Sequence, residues 1–351
     1  MDLTDTEYEA IRDGLLGSER PFFLFHDDPD GLVSFLLLKK FCGKGRGMMV
    51  KAEPNVNDRF LAPVRSVKPD SLFVLDVALM QQSFVDTVRG FGVAKIFWID
   101  HHQPVRLSGV KYFNPRLHSP QNNPPASYLS YKAVRGTGNE LLWLAMAGIV
   151  SDWHMPEFAP EFTRDYPDLL PGPMSAEEAL FTTGIGKLGR IFSFMLKGPV
   201  SEAVACIRAL ETVTSPYDIL NRLTKEGRFI YGKFKAINSE YEKLLAEAKE
   251  AADGSSGEKF LVFTYKSAQS FSGDLANELL FLYPDRVIVA GRERSEHYML
   301  SFRARHAPVL PALQNALKGV DGYGGGHEKA CGGSVSRKDF ERFIEKFKKE
   351  F

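Results

Sequence analysis

PFFLFHDDPDG, residues 21–31, is an apolar run that ends abruptly in imidazole and carboxylate. Pro21 to Phe25 read as a buried strand, and GLVSFLLLKKF (31–41) reads as the helix that follows it. The pattern recurs along the first half. SLFVLDVAL (71–79) carries Asp76, a helix is expected near 81–90, and KIFWI (95–99) runs into Asp100, His101 and His102. GMMVKAE (47–53) is a further strand candidate, and Asp152 in GIVSDW (148–153) closes a longer apolar segment. Strands separated by helices of about ten residues argue for a parallel sheet with helices on both faces. In such sheets ligands bind outside the carboxyl ends of the strands, where these polar groups collect.

Composition sets the frame. A chain of 351 residues has room for two domains of ordinary size. With 44% apolar and 25% charged residues it has the makings of a globular protein with a proper core. Forty-four basic residues balance 44 acidic ones, so no global charge advertises a nucleic-acid or membrane partner, although a local basic surface stays open. Cys42, Cys206 and Cys331 are too few and too scattered for a disulfide framework or a thiolate zinc site. A reducing cytoplasmic location is expected. MDLTDTEYEAIRDGLL at the start is acidic and amphipathic, unlike a signal peptide, and no apolar run approaches the roughly 18–20 residues that span a bilayer.

Residues 127–153 read as mostly helical with a Gly-Thr-Gly break at 136–138, and helices are expected near 175–196. From SPYDIL (215–220) to residue 253 the spacing predicts one long helix of about 50 Å, closed by the GSSG linker at 254–257. A second α/β pattern follows: strands at KFLVFTY, DRVIVAGR and HYMLSFRAR, helices at GDLANELLFLY and APVLPALQNALKGV, a glycine-rich segment, and a basic amphipathic helix over 337–350. The expected organisation is α/β with a first domain over 1–200, a helical connector and linker over 201–257, and a smaller α/β domain over 258–351, joined by the long helix.

His26, Asp28 and Asp30 alternate, so an extended backbone would point all three to one side, with Gly31 turning the chain into the helix. Oxygen and imidazole donors of this mix suit Mn²⁺ or Mg²⁺ better than a structural zinc site. If two ions sit about 3.5–4 Å apart, one carboxylate must bridge them, and Asp76 is placed to do so. Each patch has a blander reading. Asp-Pro-Asp-Gly alone is a good turn, Asp76 could be a satisfied buried group, and His101 and His102 could be surface residues. A calcium loop fails, because counting from His26 puts Leu37 where its bidentate glutamate belongs. Recurrence at three successive strand ends favours the metal reading. In the second half, Gly324, Gly325 and Gly326 could form an anion-binding nest beside His327, with Arg303 and Arg305 alternating on one strand face. A flexible turn and a solvated strand face are the alternatives there.

HDDPDG (26–31), VLDVA (74–78), WIDHH (98–102) and SDW (151–153) resemble, in order, the four motifs of the DHH phosphoesterases. The compact His-x-Asp-x-Asp-Gly is similar to the first motif of RecJ-like members, since nano-RNase-like members more often have a longer spacing. SFRAR (301–305) and GGGHEKACGG (324–333) resemble the DHH-associated C-terminal domain. The likeness covers roughly residues 18–160 and 258–350. It implies that His26, Asp28 and Asp76 hold one metal and that Asp30, Asp76, His101 and Asp152 hold the other. It also implies that Asp100 orients an imidazole and that His102 meets the scissile phosphate. No position is degenerate, which argues against a catalytically dead relative. Arg303, Arg305, Gly324, Gly325, Gly326 and His327 would grip the far end of the substrate.

The implied chemistry is two-metal hydrolysis of a phosphodiester by in-line attack of water, with Mn²⁺ expected and Mg²⁺ as the alternative. The leading expectation is an exonuclease on single-stranded DNA or RNA and short oligonucleotides. The alternative is a small-nucleotide phosphoesterase acting on cyclic dinucleotides, dinucleotides or 3′-phosphoadenosine 5′-phosphate. A subunit role in a replication or repair assembly and self-association are left open, and no membrane partner is expected. An inorganic pyrophosphatase would lack Gly-Gly-Gly-His. Trp153 and His154 border the fourth motif, and Lys187 with Arg190 could face substrate, but all four read first as structural or solvated.

Overall fold

The computed structural model describes residues 2–51, 55–135 and 139–351; the expected break at 136–138 lies outside them. Pro21–His26 (β1) and Arg46–Val50 (β2) flank Pro29–Cys42 (α2), which follows the N-terminal helix Asp5–Leu16 (α1). The short strands Asn55–Val56 (β3) and Leu79–Met80 (β5) pair with each other. Leu61–Val67 (α3), Ser71–Leu75 (β4), Gln82–Gly90 (α4), Lys95–Ile99 (β6) and Lys111–Phe113 (β7) complete the alternating region. The main sheet has order β2-β1-β4-β6-β7, with every pair parallel.

Both faces of this sheet are buried, as an all-parallel sheet requires. Phe22, Leu24, Leu72, Val74, Ile96 and Trp98 pack on one face with Val64, Phe84, Val85 and Val88 of α3 and α4. The alternate positions form an aromatic ladder on the other face, Phe23 on Phe73 on Phe97, with centroids 5.3 and 4.6 Å apart. Register then decides where the chemistry falls. Phe25 lies beside Leu75, Leu75 beside Ile99, and Ile99 beside Phe113. The residues that follow these four are His26, Asp76, Asp100 and Asn114, so four strand ends deliver four polar side chains to one edge. Because β2 lies on one side of β1 and β4 on the other, the strand order reverses there. Ligands favour such a switch point.

Helices Ala126–Val134 (α5) and Leu142–Ser151 (α6) pack with α2. Ala159–Asp165 (α7), Ala176–Thr182 (α8), Gly184–Met195 (α9), Val200–Thr212 (α10) and Pro216–Leu220 (α11) follow. The single long helix expected from residue 215 is in fact two. Asn221–Thr224 interrupt it, Arg222 has φ of 58°, and Lys225–Gly254 (α12) continues for 30 residues, about 45 Å. The chain divides into two compact units, Met1–Leu196 with Ser201–Gly232, and Lys197–Val200 with Lys233–Phe351. Residues 201–232 thus belong with the first unit, and the division falls inside α12.

The second unit is a mixed five-stranded sheet of order β11-β12-β10-β9-β8. Its strands are Phe260–Lys266 (β8), Val287–Arg294 (β9), His297–Arg303 (β10), Gly322–His327 (β11) and Ala330–Ser336 (β12). Ser272–Leu282 (α13) makes the crossover between the parallel pair β8 and β9, while Val309–Ala316 (α14) and Phe340–Lys348 (α15) cover a core that includes Leu300, Phe302, Leu313, Phe343 and Phe347. The architecture is α/β in two units, a parallel five-stranded sheet in the first and a mixed five-stranded sheet in the second, smaller one. No helix among the described residues is long and apolar enough to cross a membrane. No disulfide joins Cys42, Cys206 and Cys331.

Candidate metal centre

The strand-to-helix turn after β1 does not converge His26, Asp28 and Asp30 on one point, as their alternation implied: it places His26 and Asp28 in one set of donors and Asp30 in another. Asp28 is the N-cap of α2 and accepts a hydrogen bond from the Gly31 N–H at 2.9 Å; Pro29 starts the helix, and Asp30 already lies in its first turn. Gly31 sits inside the helix and has a different reason to be glycine. A Cβ there would meet the backbone N and O of His26 at 2.7 Å, so any side chain would push β1 and α2 apart.

Asp30 is buried, and its carboxylate reaches across to another helix. Oδ2 accepts from the Ala126 N–H and Oδ1 from the Ser127 N–H, both at 2.8 Å, and Oδ1 also accepts from the Ser127 hydroxyl. The residue at the N-cap of α5 is Pro125, which has no capping side chain, so a carboxylate 96 residues away does that work.

Asp76 is 1% exposed and held at φ of 55° by the turn that ends β4. Its Oδ2 lies 3.3 Å from His26 Nδ1, which is itself 2.9 Å from Asp28 Oδ2. Its Oδ1 has no hydrogen-bond partner, yet faces His101 Nε2 at 3.4 Å and His102 Nδ1 at 3.9 Å. His101 Nε2 is 3.7 Å from Asp152 Oδ2, and its other nitrogen, Nδ1, meets the Asn123 carbonyl at 3.3 Å. That carbonyl can only accept, so Nδ1 donates to it and Nε2 is the nitrogen that faces the carboxylates, open to a metal once it gives up its proton. Three sets of donor atoms each lie within 4.8 Å of one another: His26, Asp28 and Asp76; Asp30, His101 and Asp152; and Asp76, His101 and His102.

Asp100 is fully buried beneath this centre. It accepts from His102 Nδ1 at 2.7 Å, the His102 backbone N–H at 3.1 Å and the Tyr112 hydroxyl at 3.2 Å. The imidazole it orients is therefore that of His102. Three supporting residues, Tyr112, Asn114 and Arg116, escaped the sequence reading. Asn114 Nδ2 donates to the His102 carbonyl and the Tyr112 hydroxyl, and Arg116 Nε donates to the His101 carbonyl at 2.8 Å. Asn114 follows the last strand as His26, Asp76 and Asp100 follow theirs, so the same strand-end rule, applied to KYF at 111–113, finds it.

Burial would depress the imidazoles of His26 and His101, but the carboxylates around them outweigh it and raise both well above the ordinary histidine value. Burial raises Asp30, with Asp76 and Asp152 adding to it. Asp152 is pushed up to about 6 by burial and by Asp76 and Asp28, although its side chain remains 38% exposed. Burial works against ionised Asp76 as well, but the imidazoles of His101 and His26 hold it below the usual carboxylate range. Four carboxylates crowded in this way either take up protons or bind cations.

The donor set fits divalent cations. An octahedral ion with ligands at about 2.0–2.1 Å sets neighbouring ligands about 2.9 Å apart. The edges around His26 Nδ1 are 2.9 and 3.3 Å, and those around His101 Nε2 are 3.4 and 3.7 Å. The unsatisfied Asp76 Oδ1 supplies the buried lone pairs such an ion would use.

In the second unit the glycine run is not a loop. Gly324, Gly325 and Gly326 belong to the edge strand β11, opposite Gly333, Gly332 and Cys331 of β12, and His327 ends the strand opposite Ala330. Gly326 has φ of 138° and would set a Cβ 2.6 Å from the Ala330 carbonyl, so close pairing explains this glycine. Arg303 is the last residue of β10, and its guanidinium is tied into the unit: Nε donates to Asn277 Oδ1 at 2.6 Å and Nη1 to the Phe302 and Cys331 carbonyls. These bonds occupy Nε and Nη1 and involve Nη2 in none. Arg305 lies beyond the strand, so alternation does not set its direction.

Residues 257–351 match the DHHA1 domain family. No curated protein sequence matches the chain. Among solved structures, RecJ from Thermus thermophilus in complex with Mn²⁺ aligns with a TM-score of 0.66 and 17% identity over 97% of this chain and 53% of that one. The DHH domain of a protein assigned to a family of ribosomal proteins gives 0.64 and 14%, over 98% and 89% of the two chains. An exonuclease RecJ bound to manganese gives 0.59 and 16%, over 99% and 94%. The chain spans about half the length of the Thermus RecJ, and at these identities the likeness is one of fold. The chain thus shares the fold of these RecJ structures, and its residues 257–351 match the DHHA1 domain family.

Proposed function

We propose that the chain is a divalent-metal-dependent phosphodiesterase, an exonuclease that hydrolyses single-stranded DNA or RNA and short oligonucleotides. The observation that carries this reading is Asp76, whose two oxygens face two separate ligand sets. In this reading His26, Asp28 and Asp76 hold one ion, and Asp30, Asp76, His101 and Asp152 hold the second. Mn²⁺ is the favoured metal and Mg²⁺ the alternative, as oxygen and imidazole donors suggest. Bound ions would supply hydroxide near neutral pH and neutralise charge on the phosphate.

The chain's own residues do the rest. Asp100 accepts from His102 Nδ1, which leaves Nε2 to meet a non-bridging phosphate oxygen. Asn114 fixes the backbone of His102, and Arg116 fixes that of His101, so neither ring must be reoriented during turnover. In the second unit, His327, the backbone of Gly324–Gly326, Arg305 and Nη2 of Arg303 are the groups proposed to take phosphates away from the cleavage point.

The test uses the full chain with Mn²⁺ and an end-labelled single strand of about 20 nucleotides, a dinucleotide, a cyclic dinucleotide and 3′-phosphoadenosine 5′-phosphate. Laddering from one end, with the highest kcat/KM on the strand or its short fragments, is expected. Turnover confined to the cyclic dinucleotide or 3′-phosphoadenosine 5′-phosphate would reject the exonuclease. Undiminished activity in EDTA would reject the metal chemistry.

A further inference from the structure

Trp153 follows Asp152 directly, at the turn that ends α6. Its φ is 59°, a region that bulky side chains avoid and that glycine enters freely. The backbone therefore gains nothing from tryptophan here. Burial does not account for it either. Trp98 and Trp143 are 0% and 1% exposed, whereas Trp153, the third of the chain's three tryptophans, is 37% exposed.

The ring is nonetheless held. It packs edge-on against Phe181 of α8, with centroids 5.9 Å apart at 76°. His154, the next residue, turns the other way to meet the Tyr128 ring of α5 at 5.4 Å. On its other side, Asp152 presents a carboxylate that joins the set with His101 and Asp30 and keeps 38% of its side chain exposed. A strained, partly exposed and oriented aromatic that directly follows a candidate metal ligand is a combination that points to a ligand contact.

We propose that Trp153 is the stacking platform for a nucleobase of the nucleotide whose phosphate occupies the Asp76 centre. The proposal rests on the phosphodiesterase reading above and adds a contact to it. Stacking uses the π-face that every base has, so the platform would accept purines and pyrimidines alike. It would gain nothing from a sugar phosphate without a base.

Two measurements test this on the full chain. In the first, a single-stranded oligonucleotide with non-hydrolysable linkages is titrated in Mg²⁺ while anisotropy of its label reports binding and tryptophan emission is recorded. Quenching should track binding, because the other two indoles are buried. In the second, Mn²⁺-dependent kinetics are compared on an intact oligonucleotide and on one with an abasic residue at the terminal position. Trp153→Ala should raise KM for the intact strand about 10-fold, with little change in kcat, and should erase the preference over the abasic strand. Trp153→Phe should restore most of both. Trp153→Gly, which relieves the backbone, should melt no lower than Trp153→Ala, separating folding from recognition. Binding without quenching, or a preference for the intact strand that survives Trp153→Ala, would overturn the platform while leaving the phosphodiesterase standing. Failure to bind or cleave any nucleic acid would remove both.

Discussion

Asp76 is the residue on which the two proposed ligand sets meet, one oxygen facing His26 and the other His101. It sits at a strained φ, 1% exposed, with one oxygen lacking any hydrogen bond. Asp76→Asn keeps the volume and removes the charge. Isothermal titration should then show loss of Mn²⁺ binding, and the fall in turnover should exceed the roughly 10- to 100-fold typical of an outer partner. Asp100→Asn, which touches only His102 and its neighbours, should bind metal and fall within that 10- to 100-fold range in kcat. The pH dependence has a defined sign. Asp152 is raised to about 6, so in metal-free protein it costs nothing when protonated and costs most once pH has risen through about 6. His26 and His101 are raised, so their contribution is full below about 6.5 and is lost as pH climbs through their folded values. Metal competes with these protons. The gap between thermal midpoints in Mn²⁺ and in EDTA should therefore widen from pH 5 to pH 8, and a constant gap would show that the groups do not bind metal.

At the scale of elements, Asp30 ties the first turn of α2 to the N-terminus of α5. Asp30→Ala strands three buried donors and should cost roughly 2–3 kcal/mol in urea unfolding measured in EDTA. Asp152→Ala strands none and should cost less than about 1 kcal/mol under the same conditions. Equal losses would contradict the capping role. This difference was not legible in the sequence, where both were aspartates beside apolar segments. Strand ends were legible because β1, β4 and β6 are buried on both faces and read as unbroken apolar runs. Their register was not, although it is what turns separate motifs into one edge. The His26–Asp30 alternation implied an extended backbone aimed at one cation; a helix start instead places His26 and Asp28 in one candidate set and Asp30 in another. Gly324–Gly326 looked like a loop because glycine-rich composition is the same in a turn and in a tightly paired edge strand. Arg222 with φ of 58° broke a helix whose periodicity gave no warning.

At the scale of the whole molecule, the first unit carries the three candidate ligand sets and the second the residues that match the DHHA1 domain family. That division makes a separable prediction. His327→Ala should raise KM for an oligonucleotide several-fold while leaving the Mn²⁺ titration of the first unit unchanged; a parallel loss of metal binding would show that the roles are not divided. Balanced charge means that affinity for a nucleic acid must come from such local contacts, since the chain as a whole exerts no net attraction. The central claim remains the pair of cation sites that share Asp76, and anomalous diffraction from crystals grown with Mn²⁺ tests it most directly. Two peaks are predicted, one among His26, Asp28 and Asp76 and one among Asp30, Asp76, His101 and Asp152. No peak at either set, or a single ion without Asp76 among its ligands, would contradict the account.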